Sequence, residues 1–346
     1  RDIDLAEGNI AMQELFRRNY TFDFQYSFTY PISDGLNINY SAANNNIVRN
    51  YFIDDIINGS QDPSLDVWNR FFDIGDPNRQ TQQLAVNYQL PIDKIPTFSF
   101  IRAMYSYTGD FQWQKGSDLF GNLSLNNQVY DLGNTISNAN THNFNGSLDM
   151  SKFYKYIGLL KNNSGASKSG PGFGNSNLTN NKTKKKRKTS AFVSSLIELL
   201  TAVKRIQFNY AENNGTFLPG YLQTPDFIGS FKPTFGYVFG SQRDIRYLAA
   251  RNGWLTVFPE FNQQYSEVTN KNLNFSANLV PIKDLKIDLT GGRTYSRNIT
   301  ENFNTIDSND DGLSDDYNSL ITNTLGNFNI STMLIKSAFS NSDENS

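Results

Sequence analysis

The chain has no cysteine, so disulfides, thiolate metal sites and cysteine nucleophiles are excluded at the outset. That absence also suits a chain that crosses an oxidising periplasm. Histidine is nearly absent: His142 alone remains, which excludes multi-histidine metal sites and leaves one imidazole base. Charged residues make up 18% of the sequence, against roughly 25% in a soluble domain. No window approaches the roughly 18 consecutive apolar residues of a transmembrane helix. The opening Arg1-Asp2-Ile3-Asp4 is no signal peptide, implying a removed signal or an internal piece of a longer protein. With a net charge of −2 and a pI of about 5.6, nothing global argues for nucleic acid as a partner.

What is abundant is aromatic and neutral polar. Aromatics reach 14%, as 27 Phe and 18 Tyr with only 3 Trp. Mean hydropathy is nevertheless −0.51, because Asn, Ser, Thr and Gln replace the missing charge. Few charges, many aromatics and many neutral polars describe a wall with one face in lipid and one in water. The stretch 19–30 shows the pattern most cleanly. Tyr20, Phe22, Phe24, Tyr26, Phe28 and Tyr30 alternate with Thr21, Asp23, Gln25, Ser27 and Thr29, a period of two long enough to cross a bilayer when tilted. An exposed sheet of a soluble β-protein is the plainer reading, but six aromatics on one face would then need a covering layer. The alternation returns at 36–42, 84–90, 101–113, 144–150, 206–210, 273–279, 285–299 and, more weakly, 322–334.

These segments predict an all-β fold. It is an antiparallel transmembrane β-barrel segment of about nine strands, with short periplasmic turns, long extracellular loops and one or two short helices. Asp23, Gln25, Asp110, Gln112 and Asp288 are expected to face a wet lumen. Tyr20, Phe22, Phe24, Tyr26, Phe28, Tyr105, Tyr107, Phe111 and Trp113 are expected to face lipid.

Apolar-Pro-Ile signatures at Pro31, Pro91 and Pro281 mark short turns, since proline cannot donate to a ladder and belongs at strand ends. Long connections fall at about 45–78, 115–133, 214–270 and 301–320. Strand parity puts the two kinds on opposite rims, short turns periplasmic and long loops outside. The organisation is then barrel strands and loops over 1–151, a periplasmic-side insert over 152–205, and more barrel over 206–346. Within the insert, a short helix is expected at 152–160 and another at about 190–204, whose apolar face carries Phe192, Val193, Leu196, Ile197, Leu200 and Val203. That face packs under the rim, lies in a membrane interface or docks a partner. The basic run Lys182–Lys188 reads as a solvated linker, or in isolation as a nucleic-acid or nuclear-localisation patch.

Catalytic constellations are missing from the sequence: His142 shares a strand face with Phe144, and no nucleophile elbow or phosphate loop is present. The expectation is a non-enzyme with no cofactor. One loop could hold Ca2+. Asp307, Asn309, Asp311, Gly312, Leu313 (through its carbonyl) and Asp315 match a calcium loop at positions 1, 3, 5, 6, 7 and 9, but Asn318 replaces the bidentate Glu at the twelfth. A loop of the thrombospondin-repeat type tolerates that departure; an acidic, soluble loop tip is the alternative.

Several blocks together resemble one family. They are Val203–Tyr221, the stretch from Phe235-Gly-Tyr-Val-Phe-Gly to Arg243-Asp-Ile245, Asn252-Gly-Trp-Leu-Thr256, the stretch from Leu279-Val-Pro-Ile to Leu289, and Leu132-Gly-Asn-Thr-Ile136. The chain resembles the SprA/Sov family, the outer-membrane translocons of the Bacteroidetes type IX secretion system, from about Arg17 to Phe303. The resemblance implies a wall segment of a very wide barrel that passes folded secreted proteins and supports gliding motility. Implied partners are outer-membrane lipid, secreted substrate proteins, a plug protein, a peptidyl-prolyl-isomerase-like subunit and a periplasmic motor. A TonB-type nutrient-uptake barrel and a secreted β-sandwich adhesin are the alternatives. Nine strands is an odd number, so the piece is expected to continue into more barrel.

Overall fold

The structure is a computed structural model and describes residues 18–51, 56–57, 60–61, 74–117, 123–125, 127–160, 197, 199–282 and 284–331, the side chains of 18–20, 49–51, 56–57 and 60–61 aside. Nine long strands form one antiparallel sheet: β1 Arg18–Ser33, β2 Leu36–Tyr51, β3 Asp76–Leu90, β4 Ile101–Gln114, β5 Asn134–Asp149, β6 Val203–Tyr221, β7 Gln264–Ile282, β8 Leu285–Ile306 and β9 Asp316–Ile330. Their spatial order is their sequence order, an up-and-down meander. The sheet is open, because among the described residues β1 and β9 each pair on one side only. Short helices accompany it, among them α1 Met150–Tyr156, α2 Phe235–Val238 and α3 Arg246–Arg251, and residues 197 and 199–200, within the second helix expected in the insert, are helical as well. No helix of the described residues is long and apolar enough to cross a membrane, which does not bear on crossing by strands.

The all-β reading and the nine-strand meander hold. At one rim the connections are Asp34-Gly35 between β1 and β2, residues 91–100 with two single-turn 3-10 helices, the insert after β5, and 283–284 between β7 and β8. The opposite rim carries 52–75, 115–133, 222–263 and 307–315. Strands on this rim run further than the alternation suggested. The connections expected at 214–270 and 301–320 shrink to 222–263 and 307–315, and β2 extends through Asn44, Asn45 and Asn46. Alternation fades there because both strand faces are polar, although the ladder continues.

The insert also differs. Its first helix is α1, capped by the Asp149 carboxylate, which accepts the Lys152 amide at 3.3 Å. Met150, read as strand, begins that helix. Val203 and Lys204, expected at the end of a second helix, already belong to strand β6, where Val203 pairs with Leu279 of β7 and Lys204 sits in the bulge before Arg205. The basic run Lys182–Lys188 lies outside the described residues, as do Phe192, Val193 and Leu196.

Register sorts every strand into the same two faces. One is aromatic and aliphatic near the short turns; the other is mainly neutral polar, with Met104, Phe217, Val268 and Leu325 among its apolar members. Two glycines on the first face leave room for a partner ring. Gly146 sits opposite Phe208 and Gly291 opposite Phe275, and in each pair the ring occupies the space a Cβ would need. An aromatic ring thus covers a strand glycine that would otherwise expose backbone.

Candidate functional site

The polar face gathers the residues expected there. Asp23, Gln25, Asp110, Gln112 and Asp288 all lie on it. Neutral amides reach across strands to the few charges: Asn45 donates to Asp23 at 2.6 Å, Gln83 to Asp110 at 2.7 Å, Arg79 to Gln112 at 3.1 Å, and Asn278 to Asp288. Neutral pairs continue the pattern, with Thr141 donating to Asn213 at 2.9 Å and Ser296 to Asn270 at 2.8 Å. Such cross-strand pairs are the unit of sheet stabilisation. Broad hollows of about 860 and 920 Å3 run along this face. They are lined by groups such as Gln83, Gln112 and Ser137 near the long loops, and Asn145, Gln207 and Asn274 near the turns.

The aromatic face divides in two. Toward the short turns it is bare: Phe28, Tyr30, Phe275 and Phe328 are about half exposed. Toward the long loops the chain covers it with its own segment 222–263. Trp113 and Phe111 are 1% and 2% exposed. This corrects the expectation that both face lipid: they stand on the aromatic face, but protein covers them. Trp113 donates its indole N–H to the Gln223 carbonyl at 2.9 Å, and Phe111 meets the ring of Tyr237 edge-on at 6.2 Å. Phe22 and Phe24 stack on Phe227, at 6.5 and 5.1 Å. Tyr26 donates to the Ile228 carbonyl and Tyr107 to that of Phe239. These four therefore lie at the edge of the segment, and Phe28 and Tyr105 lie clear of it. Tyr105 hydrogen-bonds the ring of His142 at 2.7 Å. The Tyr20 side chain lies outside the described residues.

Sequence reasoning missed what holds the segment down. Strand amides satisfy its backbone: Gln80 donates to the Asp226 carbonyl at 3.0 Å, Gln82 to Ser230 at 3.2 Å, and Asn138 to Tyr237 and Ser241 at 2.9 and 2.7 Å. At its far end Arg246 forms a buried clasp. Its guanidinium bonds Glu301 at 2.6 Å and Asp244 at 2.8 Å, and lies over the Tyr265 and Tyr317 rings at 4.0 and 4.9 Å. Burial works to raise the Asp244 carboxyl pKa, but the bonds and charge of Arg246 outweigh it, leaving it below the usual carboxylate value. The same two carboxylate partners hold the Arg246 pKa above its ordinary value despite burial. A signal was available in the sequence: Phe227, Ile228, Phe231, Tyr237, Val238, Trp254 and Leu255 make 222–263 too apolar for a solvated loop.

The acidic loop 307–315 comes together, but its side chains turn to its own backbone. Asp307 accepts the amides of Asp311 and Gly312 at 3.3 and 2.8 Å, Asp311 accepts that of Leu313 at 2.8 Å, and Asp315 that of Ser308 at 2.8 Å. Asn309 donates to Asp311 at 3.1 Å. Among the described residues no group of three or more carboxylates or histidines is placed to share a cation.

One further geometric feature concerns the bare band. On the aromatic face the first polar residue beyond the turn-side apolar run is Gln82 on β3, His142 on β5, Glu212 on β6, Lys271 on β7 and Arg293 on β8, whereas on β4 the run continues through Phe111 and Trp113. His142 stands opposite Glu212, and Glu212 opposite Lys271.

No protein-family model matches the chain, and no curated protein sequence matches it. The class that fold and faces define is an open antiparallel meander with one polar face and one banded apolar face.

Proposed function

We propose that this chain is a wall segment of an outer-membrane β-barrel, its polar face lining an aqueous passage and its bare band lying in lipid. The two unlike faces carry this reading, because one amide-lined face and one face with a band of exposed rings fit water on one side and lipid on the other. Half-exposed rings such as Phe28 and Phe328 would form a large patch in water, which soluble monomers avoid. Beyond the border the strands leave the bilayer, and segment 222–263 covers the apolar residues that lipid no longer covers.

With the resemblance to SprA/Sov translocons, the passage is one for folded proteins moving outward. The chemistry of the lining suits that role. Asn, Gln, Ser and Thr far outnumber Asp23, Asp110 and Asp288 on this face, so the wall presents mostly small neutral dipoles, some of them turned to those three carboxylates. Cargoes of either charge then meet little net attraction, and neither sign of protein would lodge there.

Comparative mass spectrometry of culture supernatant and periplasm, with the gene deleted, tests this. Many unrelated secreted proteins should vanish outside and accumulate inside. An unchanged secretome with failed growth on one nutrient would transfer the barrel to the uptake class.

A further inference from the structure

A third hollow, of about 540 Å3, opens on the aromatic face at the outer border of the band. Its lining includes Lys271 from β7 and Arg293 and Arg297 from β8, with Tyr210 and Glu212 from β6. Lys271 and Arg293 are the first polar residues beyond the turn-side apolar run of their strands, and Arg297 is two same-face positions above Arg293. Lys271 pairs with Tyr295, the residue between the two arginines on this face, so the three cations cluster diagonally around one tyrosine. The one carboxylate, Glu212, bonds Lys271 at 3.1 Å and accepts from Tyr210 at 2.5 Å. Three cations against one anion leave a net charge of two positive. Arg293 also lies over the Phe328 ring at 5.1 Å, which holds its charge near the band. Directly below are Leu273 and Phe275, both exposed.

We infer that this notch binds the phosphorylated headgroup of an outer-leaflet lipid, with the acyl chains lying along Leu273 and Phe275. The inference rests on the membrane-wall reading, since it places the notch where headgroups begin. A basic hollow with an apolar floor on one side fits an amphiphile, because a free anion gains nothing from Leu273 and Phe275.

Titrating dihexanoyl phosphatidic acid and, separately, inorganic phosphate into the detergent-extracted full-length protein tests it. The lipid should bind the native protein at least tenfold more tightly than phosphate. With Lys271→Gln, Arg293→Gln and Arg297→Gln combined, lipid affinity should fall on the order of a hundredfold, at roughly fivefold per cation near a membrane surface. Glu212→Gln should raise it about fivefold, a gain that misfolding cannot imitate. Equal affinity in the native and triple variants, with heat-modifiable gel migration intact, overturns the notch and leaves the barrel standing. Phosphate binding as tightly as the lipid overturns the headgroup assignment. A protein soluble without detergent that ignores vesicles overturns both readings together.

Discussion

Trp113 and Arg246 hold the same segment by opposite means. Trp113 is enclosed and gives its single donor to Gln223. Trp113→Ala should cost about 3–5 kcal/mol of local stability, read as faster proteolysis of 222–263 with the strands of the sheet still protected. Arg246→Met leaves Glu301, 10% exposed, without its partner, and should cost about 3–5 kcal/mol. Replacing Arg246 and Glu301 together by apolar residues should restore much of that loss. Asp244 adds a pH dependence. Its folded-state pKa is lowered, so its contribution is present above the unfolded carboxylate pKa and disappears as pH falls through the folded one. Acid below the ordinary carboxylate range should loosen the segment, measured by hydrogen exchange at 222–263. In Asp244→Asn that acid step should be weaker.

At the scale of elements, strand length and covering go together. β6 runs 19 residues and β8 runs 22, whereas roughly 9–11 tilted residues cross a bilayer. The excess forms a platform under 222–263, which explains why Asn138, Gln80 and Gln82 stand on the face that is apolar lower down. Within the band the fit of rings to glycines is tight. Gly146→Val would drive a branched side chain into Phe208 and should cost about 1–3 kcal/mol by overpacking. Heat-modifiable migration of the variant would report it, and Phe208→Leu in the same chain should recover part of the loss.

For the whole molecule the decisive test of the proposed membrane wall is which face meets water. The lack of cysteine helps, since an introduced thiol is the only one within these 346 residues. In intact outer membranes, cysteines at Gln25, Gln112 and Asn209 should react with a membrane-impermeant maleimide once the passage is open to it. Cysteines at Phe28, Phe275 and Phe328 should resist until detergent is added. Reaction at both sets alike would refute the lipid-facing band.

Alternation of ring and amide along 19–30 and 101–113 determined by itself that the chain is antiparallel β, with two chemically different faces and about nine strands. The reason is local: with a side-chain period of two, each strand announces its own faces. It could not reveal that Phe111 and Trp113 are covered by residues more than a hundred positions away, because a ring against lipid and a ring against Tyr237 read the same. Nor could it extend β2 through Asn44–Asn46, where both faces are polar and periodicity carries no contrast. The clasp of Arg246 with Glu301 and the notch of Lys271 with Arg293 and Arg297 exist only through register, which pairing across strands sets. Tertiary structure alone decided which half of the aromatic face is covered, since the cover comes from 222–263 and belongs to no strand singly.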